Sequence, residues 1–297
     1  MTTARRATLD APAAGLLLLL CLIWGAGQVA IKLANAGVSP LYQAGLRSAG
    51  AASLLAGWSR LRGVPLLRGG ALGYAALIAL LFTAEFVCIY WGFQLTTASR
   101  GVLFIYCAPF VVAVGAHFLL PGEPLRGTKL LGLAGAFAGL ALAFADGLRL
   151  PTRRQLGGDL LELAGAVLWG ATTLVIKARG HGVTANATLF YQLAGSAVGL
   201  LALAALVGEP GVTVATPLVI GALAYQTIVV AFASYLAWFW LLGRYPAALM
   251  AAFTFWTPLF ALGVAWLVLG EPVTPALGVA MALVAAGIYL VYREAPG

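Results

Sequence analysis

The stretch Trp24-Gly25-Ala26-Gly27-Gln28-Val29-Ala30-Ile31-Lys32 decides the reading of this chain, because it has a second copy. Trp24-Gly25-Ala26 and Lys32 return as Trp169-Gly170-Ala171 and Lys177, offset by 145 residues. Further along, Tyr42-Gln43 returns as Tyr191-Gln192, Trp91 as Trp240 and Pro109 as Pro258, each offset by 149. Gly122-Glu123-Pro124 returns as Gly270-Glu271-Pro272, offset by 148. One such match is chance; a series in one order at nearly one offset is a duplicated unit.

Each copy is too apolar for water. Of the 297 residues 62% are hydrophobic and 9% charged, and the mean hydropathy is +0.99. A soluble domain carries about 25% charged residues. Lipid must therefore be the solvent, which excludes soluble enzymes, secreted disulfide scaffolds and nucleic-acid-binding domains. The net charge of +8 comes from 17 Lys and Arg scattered between apolar runs, a pattern of membrane-face bias with no nucleic-acid partner. Cys21, Cys88 and Cys107 fall inside apolar runs and His117 and His181 lie far apart, so no metal and no cofactor is expected. Arg5 and Arg6 imitate a signal-peptide head, but no small-residue cleavage pattern follows, which predicts an uncleaved first span.

A span needs about 20 apolar residues. Breaks at Pro, Gly and charged clusters predict ten of them, at 14–34, 40–59, 70–92, 99–119, 127–146, 156–178, 185–207, 215–239, 246–268 and 275–292. Five per unit is odd, so the second unit enters the membrane from the opposite side, as in inverted repeats. The basic residues agree. Arg5, Arg6, Arg60, Arg62, Arg68, Arg126, Lys129, Lys177, Arg179, Arg244 and Arg293 fall on the side of the N-terminus, against Lys32, Arg100, Arg149, Arg153 and Arg154 on the other. The richer side is cytoplasmic, which puts both termini inside. The expected fold is an all-α integral membrane protein of ten transmembrane helices in two inverted five-helix repeats. Its parts are an N-terminal tail (1–13), a first repeat (14–146), an extracytoplasmic linker (147–155), a second repeat (156–292) and a C-terminal tail (293–297).

Ten spans in two halves, each opening on Trp-Gly-Ala, resemble the drug/metabolite transporter superfamily, and its EamA-type exporters in particular. The resemblance covers essentially the whole chain. It rests also on Gly122-Glu123-Pro124 and Gly270-Glu271-Pro272 after the fourth helix of each half, on Pro109 and Pro258 within that helix, and on Arg47 in the second helix. Ser196 stands where the second half would repeat Arg47, so the halves are not equivalent. The aromatic spans add a similarity to bacterial aromatic amino-acid exporters. The resemblance implies a secondary transporter of the inner membrane of a bacterium, exporting amino acids or similar amphipathic metabolites by alternating access. Its partners would be a small-molecule substrate, the lipid bilayer and either a coupling ion or none; monomer and homodimer stay open. A sugar-phosphate or nucleotide-sugar carrier is the alternative, and a membrane-embedded enzyme or scaffold a remoter one. No Walker motif is present, so a gradient must drive transport.

In inverted-repeat transporters the site lies between the repeats near the midplane. Trp24 and Gln28 share a helix face with Lys32, and Trp169 and Thr173 share one with Lys177. With Tyr90, Tyr106, Tyr225, Gln226, Tyr235, Trp238, Phe253 and Trp256 they form the expected substrate cavity, although core packing is the competing reading of the tryptophans. Lys32 and Lys177 are expected to snorkel to opposite interfaces, and Tyr74, Tyr245 and Tyr289 to belong to interfacial belts. Arg47 and Glu85 both lie about 10 Å below one boundary at 1.5 Å per residue, which predicts an intramembrane ion pair; a substrate or proton site is the second reading. The offset of 149 puts Ser196 and Ser234 at their places in the second half. Pro109 and Pro258 read equally as hinges or as packing kinks. Gly132, Gly135 and Gly139, with Gly278 and Gly287, predict close helix packing within or between subunits.

Overall fold

The structure, a computed structural model, describes residues 9–67, 71–148, 150–180, 182–272 and 274–293. Arg5, Arg6, Arg68, Arg149 and His181, used above, lie outside the described residues, as does most of both expected tails. Among the described residues ten helical rods follow one another: α1 (Ala11–Ala34), α2 (Pro40–Leu61), α3 (Leu72–Leu95), α4 (Ala98–Leu119) and α5 (Gly127–Ala143), then α6 (Arg153–Arg179), α7 (Ala185–Leu206), α8 (Pro217–Leu242), α9 (Ala247–Leu269) and α10 (Ala276–Arg293). Eight are long and apolar enough to cross a bilayer. The other two are α5, at 17 residues, and α2, which carries Gln43, Arg47, Ser48 and Ser59 on its buried side. Proline opens α2 (Pro40) and α8 (Pro217), where its missing N–H costs nothing. Thr152 and Gln155 close a reciprocal capping box on α6.

Both internal prolines break their rods. α4 divides into Ala98–Ile105 and Ala108–Leu119, and α9 into Ala247–Phe253 and Trp256–Leu269. Each break falls a few residues before the proline, where the carbonyl one turn back loses its donor. There the backbone tightens to i→i+3 bonds, Phe110 N to Cys107 O at 3.0 Å and Thr257 N to Thr254 O at 2.9 Å. α8 has a different irregularity, a π-helical stretch at Tyr225–Ser234 between two α-helical ends.

Helices pack across units more than within them. α2 lies against α7 and α5 against α10; α3 pairs with α6 as α8 pairs with α1; α9 lies on α1 as α4 lies on α6. Every pairing maps onto another, or onto itself, when the units are exchanged. Glycine sets several distances. A methyl on Gly25 would land 2.8 Å from Ala261 N of α9, and one on Gly170 would land 2.5 Å from a Val111 methyl of α4. Gly132 and Gly287 each bar a side chain on the other, and Gly139 approaches Ala280 O, so this stripe serves α5–α10 packing inside the subunit; Gly278 meets nothing.

The two ends of the bundle can be named by residues at them. At the Asp10 end, Tyr245 donates to Asp10 Oδ2 at 3.0 Å and its carbonyl accepts from Lys177. The start of α1 and the finish of α6 therefore lie together. At the Lys32 end, the finish of α3 lies on the start of α6, where Thr96 donates to Asp159 at 2.6 Å.

Candidate functional site

The interior holds two aromatic clusters. In the first, Trp24 of α1 donates Nε1–H to Ser234 Oγ at 2.8 Å and meets Trp238 and Tyr235 edge-on, at 5.2 and 6.2 Å between centroids. Tyr235 meets Phe82 at 6.4 Å, and Phe82, Phe86 and Tyr90 continue along α3. The π-helical stretch ends at Ser234, next to Tyr235, so it sets how these two side chains face α1. In the second cluster Tyr106 meets Trp169 at 5.8 Å and Phe255 at 6.4 Å, with Phe110 and Phe137 packed on Phe255. The Tyr106 hydroxyl faces Gln28 and Thr257. Trp24, Gln28, Trp169 and Tyr235 stay half-buried, whereas Tyr90, Tyr106 and Trp238 are buried.

The other expected cavity residues do different work. Tyr225 donates to Ile23 O at 3.0 Å and Gln226 to Ala30 O at 3.3 Å, tying α8 to the backbone of α1. Phe253 is buried under α1, its carbonyl accepting from Cys21 Sγ at 3.3 Å. Trp256 stacks on its own helix neighbour Phe260 at 5.5 Å, apart from both clusters. Thr173 is buried on α6.

Arg47 and Glu85 are both buried, at 2% and 7% exposure. They attract each other, but the expected direct ion pair does not form. The Arg47 guanidinium lies over the Phe86 ring, 4.5 Å from its centroid, and its Nε and Nη2 have no partner. Phe86 follows Glu85 on α3, so the guanidinium rests on the ring next to the acid in sequence. The Tyr90 hydroxyl is also buried without a partner. In the second unit Ser196 donates to Leu193 O at 3.1 Å, and Ser234 donates to Val230 O at 2.6 Å while accepting from Trp24.

Two acids of α6 outside the expected site, Asp159 and Glu162, are also buried. Asp159 takes a two-pronged bond from Arg100 besides Thr96. Glu162, one turn deeper, is fully buried with neither carboxylate oxygen partnered; a methyl on Gly92 of α3 would land 2.5 Å from its Oε1. Two acids three residues apart inside an apolar span were the available signal.

The largest departure concerns residues read as motif markers and anchors. Lys177 does not snorkel: it is buried at 6% exposure and donates to Leu242 O, at 2.5 Å, and to Tyr245 O. Tyr245 belongs to no interfacial belt; it is buried beside Asp10. Glu123, buried as well, accepts from Ala247 N at 3.0 Å and Ala248 N at 3.2 Å, capping α9 with a negative charge where the helix N-terminus favours one. Glu123 and Lys177 thus hold the α8–α9 turn from both sides. Their counterparts do otherwise. Glu271 pairs with Lys32 at the surface, the side chains 45% and 65% exposed.

Comparison with known proteins places this architecture. The chain matches the EamA-like transporter family twice, over residues 11–145 and 156–293. It is 28% identical over 284 residues to a probable amino-acid metabolite efflux pump of Escherichia coli, covering 93% of each chain. It is 24% identical to an uncharacterized transporter, YoaV, of Bacillus subtilis, covering 91% of this chain and 92% of that one. An uncharacterized Pseudomonas aeruginosa protein, PA1977, is 33% identical over 75% of this chain and 73% of its own. A solved crystal structure superposes with a TM-score of 0.83 at 21% identity, over 96% of this chain and 98% of that one, which shows the fold. This is an integral membrane protein with relatives in bacteria and a small molecule as its cargo; it is a transporter and not an enzyme. The chain belongs to the EamA-like transporter family.

Proposed function

We propose that this protein exports amino acids with large apolar side chains, and similar amphipathic metabolites, across the inner membrane of a bacterium by alternating access between two inverted repeats. The repeats are residues 14–146 and 156–292, joined by an extracytoplasmic linker at 147–155 and flanked by cytoplasmic tails. One observation carries the reading: two equivalent carboxylates, Glu123 and Glu271, are in opposite conditions at opposite ends. At the Asp10 end Glu123 and Lys177, from the α4–α5 turn and α6, grip the α8–α9 turn. At the Lys32 end the equivalent grip, Glu271 and Lys32 on the α3–α4 turn, is not made. A duplicated unit that adopts two conformations at once holds both halves of a transport cycle.

The inversion is supported by α1 and α6, equivalent helices that bring opposite termini to Tyr245. Charge bias makes the Asp10 end cytoplasmic, so the grip is made on the cytoplasmic side and not on the outside, the arrangement expected of a conformation closed to the cytoplasm. Exchanging the conformations of the units gives the other state. There Glu271 would cap Ala98 and Ser99, and Lys32 would bind the carbonyls of Phe93 and Thr96. Pro109 and Pro258 loosen the rods that must bend and act as its hinges.

The amino-acid reading is supported by the name of the Escherichia coli relative and by the aromatic cluster around Trp24, Tyr235 and Phe82, which suits an apolar side chain. A sugar-phosphate carrier would want several cations at the centre; Arg47 faces an acid there instead. The test is flux of labelled phenylalanine, leucine and glutamate in proteoliposomes. Phenylalanine and leucine are expected to move faster than in protein-free vesicles and glutamate not to. Flux at the protein-free rate for all three sinks the amino-acid assignment.

A further inference from the structure

The gap between Arg47 and Glu85 is the feature that packing does not explain. A bare charge deep in a bilayer is costly, and an opposite charge within reach normally closes on it. These two do not close. Arg47 keeps two buried guanidinium nitrogens unpartnered and rests on an aromatic ring, and Tyr90 nearby keeps a bare hydroxyl. A structural role does not need them. The equivalent helices of the second unit pass through the same places with Ser196 and Ser234, whose hydroxyls are satisfied by backbone and by Trp24. The first unit instead carries a guanidinium with two unpartnered nitrogens and a buried carboxylate that makes no direct pair with it, beside Phe82, Phe86 and Tyr235.

We propose that Arg47 and Glu85 form a clamp for a zwitterion: the Arg47 guanidinium takes the α-carboxylate, the Glu85 carboxylate takes the α-ammonium, and the aromatic cluster takes the side chain. This rests on the amino-acid reading above and deepens it, because it says which part of the substrate is read. Guanidinium presents a planar fork to a carboxylate, and a compact ammonium suits a single acid. A ligand carrying both charges leaves no net charge in the membrane interior. One carrying a single charge leaves either Arg47 or Glu85 unanswered. The clamp therefore selects free amino acids over amines, acids and blocked derivatives while tolerating varied side chains.

The experiment is calorimetric binding to the purified detergent-solubilised protein, with three ligands that share a phenyl ring. They are phenylalanine, phenylpropionate, which lacks the ammonium, and phenylethylamine, which lacks the carboxylate. Phenylalanine is expected to bind at least about tenfold more tightly than either, the scale of one lost charge-assisted bond. Arg47→Gln should erase the preference over phenylethylamine and keep the preference over phenylpropionate. Glu85→Gln should do the reverse. Each variant keeps one ligand pair distinguishable, which reports that it is folded, and the wild-type ranking stands without either. Equal binding of all three ligands to the wild type overturns the clamp and leaves the amino-acid assignment intact. So does a uniform weakening in both variants, which marks the charges as structural. Binding of none of the three overturns the assignment and the clamp together.

Discussion

The α8–α9 turn and the α3–α4 turn occupy equivalent places in the two units and lie in different surroundings. Every residue from Ala247 to Phe255 is buried, with Glu123 on the helix start and Lys177 on the carbonyls before it. Over the equivalent stretch from Ala98 to Tyr106, Ala98 is exposed and Ser99, Arg100, Leu103 and Phe104 are half-buried. Its polar contacts run to Asp159 on α6, away from Lys32 and Glu271. Near-identical motifs thus support two conformations, and what separates them is which helices close on the turn. Local sequence permits both. The choice belongs to the packing of the whole bundle.

Removing the Glu123 cap should have the largest effect on the α8–α9 turn. Glu123→Ala leaves Ala247 and Ala248 with buried bare N–H groups, at a cost of about 3 kcal/mol, or more than about 100-fold in the equilibrium between states. Labelling of a cysteine at position 248 by a membrane-impermeant maleimide from the cytoplasmic side should rise accordingly, in a variant freed of Cys21, Cys88 and Cys107. Unchanged labelling would mean that Glu123 holds nothing shut.

Swapping the partners sharpens it further. Cysteines replacing Ser99 and Glu271 should cross-link in the state closed at the Lys32 end and stop transport, with activity returning on reduction. A cross-link that leaves flux intact would break the exchange argument. The two lysines should then separate stability from turnover. Lys177→Met strips a buried donor from two carbonyls and should lower Tm clearly. Lys32→Met removes an exposed pair worth about 1 kcal/mol or less; Tm should barely move while flux falls, because its grip is made only in the other state. Equal Tm losses would contradict this. The repeated glycines separate backbone contact from side-chain contact. Gly25→Ala drives a methyl into the backbone of Ala261 at 2.8 Å, whereas Gly170→Ala meets the Val111 side chain, Cγ1 at 2.5 Å and Cβ at 2.8 Å, with the nearest backbone at 3.5 Å. The first should cost about 1–3 kcal/mol in thermal stability and the second visibly less.

Much of this was legible in the chain. The rods begin and end within a few residues of the expected spans, since Pro40, Gly122, Gly270 and the charged clusters are local breakers. The breaks before Pro109 and Pro258 follow from a missing N–H. The site was legible in part. Trp24, Tyr235 and Trp238 do meet, and Tyr106 meets Trp169, whereas Phe253, Trp256, Tyr225 and Gln226 serve packing. Helical spacing says which residues share a face and leaves open which helix that face meets. Glu162 was overlooked because a charge near a predicted helix start looks interfacial until α3 is seen to cover it.

By itself the sequence determined the solvent, the duplication, the breakpoints and the asymmetric placing of Arg47 and Glu85. These depend on composition, period and residue identity, which are local quantities. Tertiary structure alone decided that Lys177 is buried and Lys32 is not, that Glu123 caps a helix while Glu271 pairs at the surface, and that Arg47 stops short of Glu85. Each of those outcomes depends on a partner far away in the chain, and two copies of one motif can answer it differently.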